Sequence, residues 1–337
     1  MAGNKDAYLL YRLSGKRAFA TDASTASRTM LYNLKEGTWD DELLAICGIP
    51  STVMPPIKDS MGYFGETDPD VFLGIKAPIT ALLNDQQSAL LGQGCIEKGD
   101  LKTTYGTGCF MLMNTGDAPV FSKEGLITTV AWQHKGKRTF ALDGGVYIAG
   151  AAIEWLRDGL GLITSSAETD RLAESLTDNG GVYFVPAFSG LGAPYRDPTA
   201  TGTIIGICAA TTKAHIARAT LESIAYQVAD LADVMSRDAA TPILSMKADG
   251  GITKSRILME FQADMLGIPL HVPTFAEATA RGAALAAAIG AEQADFGAAR
   301  AFNDTYVTYT PKMADSARNA LLATWHRATE RAMHWNE

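Results

Sequence analysis

The sequence predicts a mixed α/β protein in two unequal parts, and three observations carry that reading. From Gly74 onward, short β-rich runs alternate with long helical ones, the pattern of a sheet with helices packed on it. The 337 residues leave room for two domains at about 150 residues each. With 47% hydrophobic and 20% charged residues, the composition is that of an ordinary globular chain, which excludes collagen-like, disordered and coiled-coil classes.

The first part has few elements. Asn4 is placed to cap a short helix with Ala7, Tyr8, Leu10 and Tyr11 on its apolar face and Gly15 at its end, and a second short helix runs from Asp40 to Cys47. Polar and proline-containing stretches surround them, including Met54-Pro55-Pro56 and Thr67-Asp68-Pro69-Asp70, so residues 1–74 read as part of a domain.

In the second part, strands are expected at Thr103–Gly106, Phe110–Asn114, Ile127–Trp132, Thr139–Leu142, Val182–Val185, Thr203–Ile207 and Ile243–Ala248. Leu221, Ile224, Val228, Leu231 and Met235 recur at three- and four-residue spacing and predict a helix over Ala214–Arg237. Ser255 is a good cap for a further helix to Leu266, with Gly267 as its stop. The run Thr279–Ala291 is dominated by Ala and Gly, which lets another backbone approach closely, and a last helix is expected over Ser316–Trp335.

The net charge of −8 gives no general field to hold a nucleic-acid backbone or an anionic membrane, so any phosphate must be held locally. Cys47, Cys95, Cys109 and Cys208 form no C-x-x-C pair, which argues against a disulfide framework or structural zinc and for a reducing compartment. The N-terminal apolar run is broken by Arg12 and is too short for a secretory core or a membrane span, and the chain reads as cytoplasmic. His134, His215, His271, His326 and His334 lie apart, with no carboxylates at metal-ligand spacing.

Three turns concentrate the polar chemistry. Asn84-Asp85-Gln86-Gln87 stands between the apolar Ile79–Leu83 and an apolar helix start. A carboxylate there either caps the helix or faces a ligand, accepting a hydroxyl proton while Gln86 orients the same molecule. Thr104-Tyr105-Gly106-Thr107-Gly108 lies between strands; it is either a plain hairpin turn or an anion-binding concavity in which the glycines adopt positive φ and Thr107 donates to a phosphate. Ala248-Asp249-Gly250-Gly251 ends a strand, and its glycines serve an ordinary tight loop or let a flat or charged ligand approach a helix N-terminus.

Longer stretches then carry a resemblance. TDASTASRTMLYN (Thr21–Asn33), NDQQSALLGQG (Asn84–Gly94), TYGTGCFMLMNTG (Thr104–Gly116), VPAFSGLGAPYRDP (Val185–Pro198), ATLESIAYQ (Ala219–Gln227) and DGG (Asp249–Gly251) make the chain similar to the glycerol kinases of the FGGY carbohydrate kinase family. The resemblance implies a ribonuclease H-like, actin-like ATPase fold. It places a complete C-terminal, nucleotide-binding domain at 75–337 and the remnant of an N-terminal, substrate domain at 1–74.

The reaction implied is phosphoryl transfer from MgATP to a terminal hydroxyl of glycerol, with Mg²⁺ arriving on the nucleotide as the only metal. Asp85 would be the general base and Gln86 a second glycerol contact, with Phe110 against the carbon chain. Gly106, Thr107 and Gly108 would meet the ATP phosphates and Gly150 and Glu154 would lie along the nucleotide, while Gly250, Gly251 and Ser255 would hold the adenine end. Three positions depart from the family pattern: Glu154 stands where Gln is usual, Ser255 where Asn is usual, and Arg196 replaces a Trp.

The family's D-x-G-T phosphate loop, Arg-Glu pair, Trp and Tyr belong to sequence that this chain does not include, which leads to two expectations. Either it is an incompletely recorded or truncated glycerol kinase, or kinase of another small polyol, or it is a non-catalytic nucleotide-binding or interaction fragment. One wall of a cleft alone should catalyse little, and Leu9, Leu10 and Leu31 should be exposed or rearranged. A homo-oligomer is what the resemblance suggests, with no nucleic-acid or membrane partner.

Overall fold

Strand pairing at the centre of the molecule sets where everything else lies. The computed structural model describes residues 1–275, 277–301 and 305–336. Its main sheet is built from β1 (Leu101–Tyr105), β2 (Cys109–Gly116), β3 (Ile127–His134), β4 (Lys137–Val146), β5 (Met246–Asp249), β6 (Leu270–Pro273) and β7 (Tyr306–Tyr309). Among the described residues the order across this seven-stranded sheet is β7-β6-β5-β1-β2-β4-β3. β5 runs parallel to both β1 and β6, and the remaining pairings are antiparallel.

Five of the expected strands fall in this sheet. The other two, observed as Tyr183–Val185 and Thr203–Ile205, pair with each other outside it. β6 and β7 were not foreseen: each is four residues long, and β6 ends in Pro273, which reads as a breaker.

Side chains alternate across the sheet and give it two covered faces. Met111, Met113 and Leu142 point to the face buried under the long amphipathic helix, with Leu221, Ile224, Val228, Leu231 and Met235 packed in the same core. The opposite face carries two polar rows in register. One runs Asp249, Thr104, Phe110, Gly145, and the other Lys247, Lys102, Leu112, Asp143.

Among the described residues the longer helices and those near the site are, in chain order, α1 (Asp85–Gly92), α2 (Gly150–Glu154), α3 (Ser166–Glu174), α4 (Lys213–Asp238), α5 (Arg256–Leu266), α6 (Ala278–Gly290) and α7 (Asp315–Ala332), besides short ones before residue 50 and at Phe296–Ala301. α1 and α6 lie together over the polar face, where Leu90, Leu91 and Leu285 share a core with Leu112. Their closeness depends on glycine: a Cβ on Gly282 would sit 1.8 Å from the Ser88 carbonyl oxygen, and one on Gly92 would sit 2.0 Å from that of Ala278. The Ala/Gly run was expected to permit such an approach, and it does. At the start of α5, Ser255 accepts the Leu258 N–H, and Gly267 closes the helix at φ +68°.

The segment before α1 wraps the outer edge of the sheet. Ser27 Oγ bonds Thr129 Oγ1 at 2.8 Å and Ser60 Oγ receives the Gln133 N–H at 3.0 Å, both on β3. Asp22 caps the short helix Ala23–Ala26 and accepts from Ser60 Oγ at 2.6 Å. The expectation for the leucines holds in part: Leu9 is exposed, whereas Leu10 is fully buried against Ala20 and Phe64. Asn4 stands at the cap of Lys5–Leu13, as read, but its side chain makes no capping bond.

Candidate active site

α1 begins where its chain is pinned from two sides. The Asn84 N–H donates to Ser24 Oγ at 3.0 Å, and Ser88 Oγ donates to the Thr279 carbonyl at 2.8 Å on α6. Asn84 occupies the cap position, so Asp85 is the first helical residue and not the cap. Its carboxylate is exposed and among the described residues accepts only the Gln86 N–H, at 2.7 Å. An exposed carboxylate with no cation bound to it is free to accept a proton from a ligand.

Gln86 faces the sheet. Its Oε1 accepts from the ammonium of Lys102 on β1, and Lys102 also donates to Thr104 Oγ1 at 3.0 Å. Thr104 pairs with Phe110, whose ring is 45% exposed, enough to be offered to a ligand. Gln86 and Phe110 are thus linked through Lys102 and Thr104 on one face of β1 and β2, with Asp85 next to Gln86.

A second group of candidate residues is assembled from three loops. The turn between β1 and β2 is a hairpin, with the Gly106 N–H donating to Gly108 O at 2.8 Å. Positive φ is not found at either glycine, in contrast to the expectation. Close approach explains Gly108 instead, because a Cβ there would lie 2.5 Å from the Val146 carbonyl oxygen. The Thr107 carbonyl receives the N–H groups of Ala149 and Ala151, and the Gly106 carbonyl receives that of Gly150, tying the turn to the start of α2. The hydroxyl of Thr107 makes no hydrogen bond to any described residue, and the residue is exposed.

Gly250 does adopt positive φ, +99°, and passes so near β1 that a Cβ would be 2.2 Å from Tyr105 O. Beside it Gly251 is exposed, with no atom within 4 Å of the place a Cβ would take. Ile252 lies against Gly150. The three turns read from the sequence, together with Gly150, thus meet around β1. Glu154 is exposed at the end of α2, which continues as a π-helical turn over Trp155–Gly159. Ser255 is buried, and its hydroxyl also donates to Asp170 Oδ1 at 2.7 Å.

Beneath lie Asp249 and three charges that the sequence reading did not single out, Asp143, Arg28 and Lys102. Asp143 on β4 is buried and pairs with Arg28 of the N-terminal segment at 2.6 Å; burial raises its carboxyl above the ordinary value while Arg28 opposes the rise. Asp249 accepts from Gln93 Nε2 at 2.7 Å. Lys102 is fully buried, and loss of hydration lowers its ammonium below the usual lysine value against the pull of Asp249, Asp143 and Asp85. Among the described residues no cluster of three or more His, Cys, Asp or Glu could hold a metal ion, and no helix is long and apolar enough to cross a membrane.

Comparison with known proteins identifies the family and the fold. Residues 101–291 match the C-terminal domain of the FGGY family of carbohydrate kinases, and residues 2–92 match the N-terminal domain of the same family. The glycerol kinase of Carboxydothermus hydrogenoformans is 48% identical over 334 residues, covering 99% of this chain and 67% of that protein. That of Thermus brockianus is 47% identical, again over 99% of this chain and 67% of the relative. The crystal structure of Plasmodium falciparum glycerol kinase with ADP superposes with a TM-score of 0.92 at 34% identity, covering 98% of this chain and 66% of that one. A xylulose kinase from Rhodospirillum rubrum, 24% identical over 95% of this chain and 65% of its own, shares the fold with a TM-score of 0.81. This chain spans about two thirds of the length of these relatives. On these matches it belongs to the FGGY family of carbohydrate kinases, with the actin-like ATPase fold the sequence led us to expect.

Proposed function

We propose that this chain carries the larger part of a glycerol kinase, which moves the γ-phosphoryl group of MgATP to a terminal hydroxyl of glycerol and yields glycerol 3-phosphate and ADP. The observation that carries the reading is similarity to glycerol kinases over 99% of the chain, joined to an exposed carboxylate at the start of α1 and exposed glycine turns after β1 and β5. Asp85 takes the proton of the attacking hydroxyl, Gln86 donates to a glycerol oxygen, and Phe110 covers the carbon chain. Phosphoryl transfer demands positioning and charge stabilisation more than covalent chemistry from the protein, and these three groups stand on a rigid helix and strand.

The nucleotide end fits a polyphosphate. Gly106 and Gly251 leave space beside the backbone, and the Thr107 hydroxyl is free to donate to a phosphate oxygen. In this reading Gly106, Thr107 and Gly108 hold phosphates, Gly150 and Glu154 flank the nucleotide, and Gly250, Gly251 and Ser255 support the adenine end. Mg²⁺ enters bound to ATP and offsets the phosphate charge. The four cysteines are all free thiols, in keeping with a cytoplasmic site of action.

The test is a coupled ADP-release assay on the full-length gene product, with glycerol and with other small polyols as acceptors. Glycerol-dependent turnover is expected. Turnover only with another polyol would move the substrate assignment, and none with any acceptor would remove the kinase reading.

A further inference from the structure

Lys102 is the only lysine or arginine that is buried among the described residues, and it makes no ion pair there. A buried cation without a bonded carboxylate is costly, and a Met or Leu in its place would pack against Leu112, its cross-strand neighbour, at no such cost. The position therefore trades stability for something else. Lys102 has no exposed surface, so it cannot itself touch a ligand bound beside Gln86.

What it does touch is Gln86. An ammonium has three N–H donors and no acceptor, so the Gln86 carboxamide can meet it only through Oε1. That fixes which way the amide is turned: the NH₂ group is directed away from Lys102, and it has no hydrogen-bond partner among the described residues. Thr104 Oγ1, 3.0 Å from Nζ, holds the ammonium in place. Without the lysine, the amide could rotate by half a turn and present oxygen where nitrogen now stands.

We propose that Lys102 is a positioning residue for glycerol, locking Gln86 so that its amide N–H, and not its carbonyl oxygen, faces the substrate hydroxyl beside Asp85. This rests on the kinase reading above, and it adds a residue that acts through Gln86 without contacting substrate.

The test uses the full-length gene product with Lys102→Met, Gln86→Ala and the double variant, measuring kcat and KM for glycerol and for MgATP beside a thermal melt. Lys102→Met is expected to melt at the same or a higher temperature than the wild type. Its glycerol KM should rise about 10–30-fold, in the range of a lost hydrogen bond to a charged group, while its MgATP KM stays within about twofold. In the Gln86→Ala background the same substitution should change glycerol KM by less than about twofold, because its route of action is gone. Lys102→Gln, which keeps a donor toward Gln86, should fall between wild type and Met, and it also serves if the Met variant folds poorly. An equal penalty with and without Gln86, or an unchanged glycerol KM in Lys102→Met, would overturn the proposal. Wild-type protein inactive on glycerol would instead overturn the kinase reading and take this one with it, a result plainly different from additivity.

Discussion

Asp85 shows how far a single residue could be read. Its place after an apolar run and before a helix made it either cap or ligand group, and the structure gives the cap position to Asn84. Among the described residues its exposed carboxylate accepts only the neighbouring Gln86 N–H, and this is why we propose Asp85 as the proton acceptor. Asp85→Asn keeps the shape and that hydrogen bond but removes the base. In the full-length protein kcat should fall by roughly 10²–10⁴-fold, with MgATP affinity nearly unchanged. A variant that retained most of its kcat on glycerol would end the assignment. Residues such as Asp85, Thr107 and Gly251 were legible because polar or glycine-rich turns interrupt apolar runs. Lys102 was not, since one lysine in a β-rich run reads as a solvent-facing alternate, and only α1 and α6 laid over that face reveal it as buried. Arg28 and Asp143 escaped for another reason: nothing local in sequence pairs groups so far apart.

Among the elements, the contact of α1 with α6 decides where Asp85 and Gln86 stand. Glycine inside an exposed helix would normally be improved by alanine, by roughly 1 kcal/mol. At Gly282 the added methyl would lie 1.8 Å from the Ser88 carbonyl oxygen, which neither helix can yield without separating. Gly282→Ala should therefore lower stability by about 1–3 kcal/mol, the usual cost of overpacking, and weaken glycerol binding with it. A denaturant midpoint equal to or above that of the wild type would contradict this. The close approach was legible from composition, whereas β6 and β7 were not, being short edge-side strands whose stability comes from pairing and not from their own pattern.

α4 and α7 meet at a second decisive contact. Asp230 on α4 accepts from Trp325 Nε1 and His326 Nε2 on α7, both at 2.7 Å, and from Tyr195 Oη at 2.6 Å. The bond to Asp230 raises the His326 pKa above its ordinary 6.5. A raised folded-state value means that the stabilisation is complete below about pH 6.5 and is lost as pH climbs through the folded value. The melting temperature of the wild type should then drop more steeply than that of His326→Gln as pH rises above about 6.5. Parallel profiles for the two proteins would refute the coupling.

Across the whole molecule, β1 is the piece that both groups of candidate site residues share. Its early residues Lys102 and Thr104 support Gln86 and stand beside Phe110, while Tyr105 leads into the turn that meets Gly150 and Gly250. The α/β class was legible because alternating runs forced it. The convergence of three distant turns on one strand was not, because it depends on the parallel pairing of β5 with β1, which no local signal announces. This shared strand makes a prediction for hydrogen exchange on the native protein. Saturating MgADP should slow exchange at Gly106–Gly108, Ala149–Ala151 and Gly250–Lys254, and glycerol should slow it at Asp85–Gln87 and Phe110. A ligand at about 100 times its Kd stabilises the bound state by about 2.7 kcal/mol, enough to slow exchange through local opening by roughly a hundredfold. The two footprints should stay separate, and β1 (Leu101–Tyr105), which adjoins both, should be protected more with both ligands than with either alone. MgADP protection confined to some other surface, with the Gly106–Gly108 turn unaffected, would show that the nucleotide end has been placed wrongly.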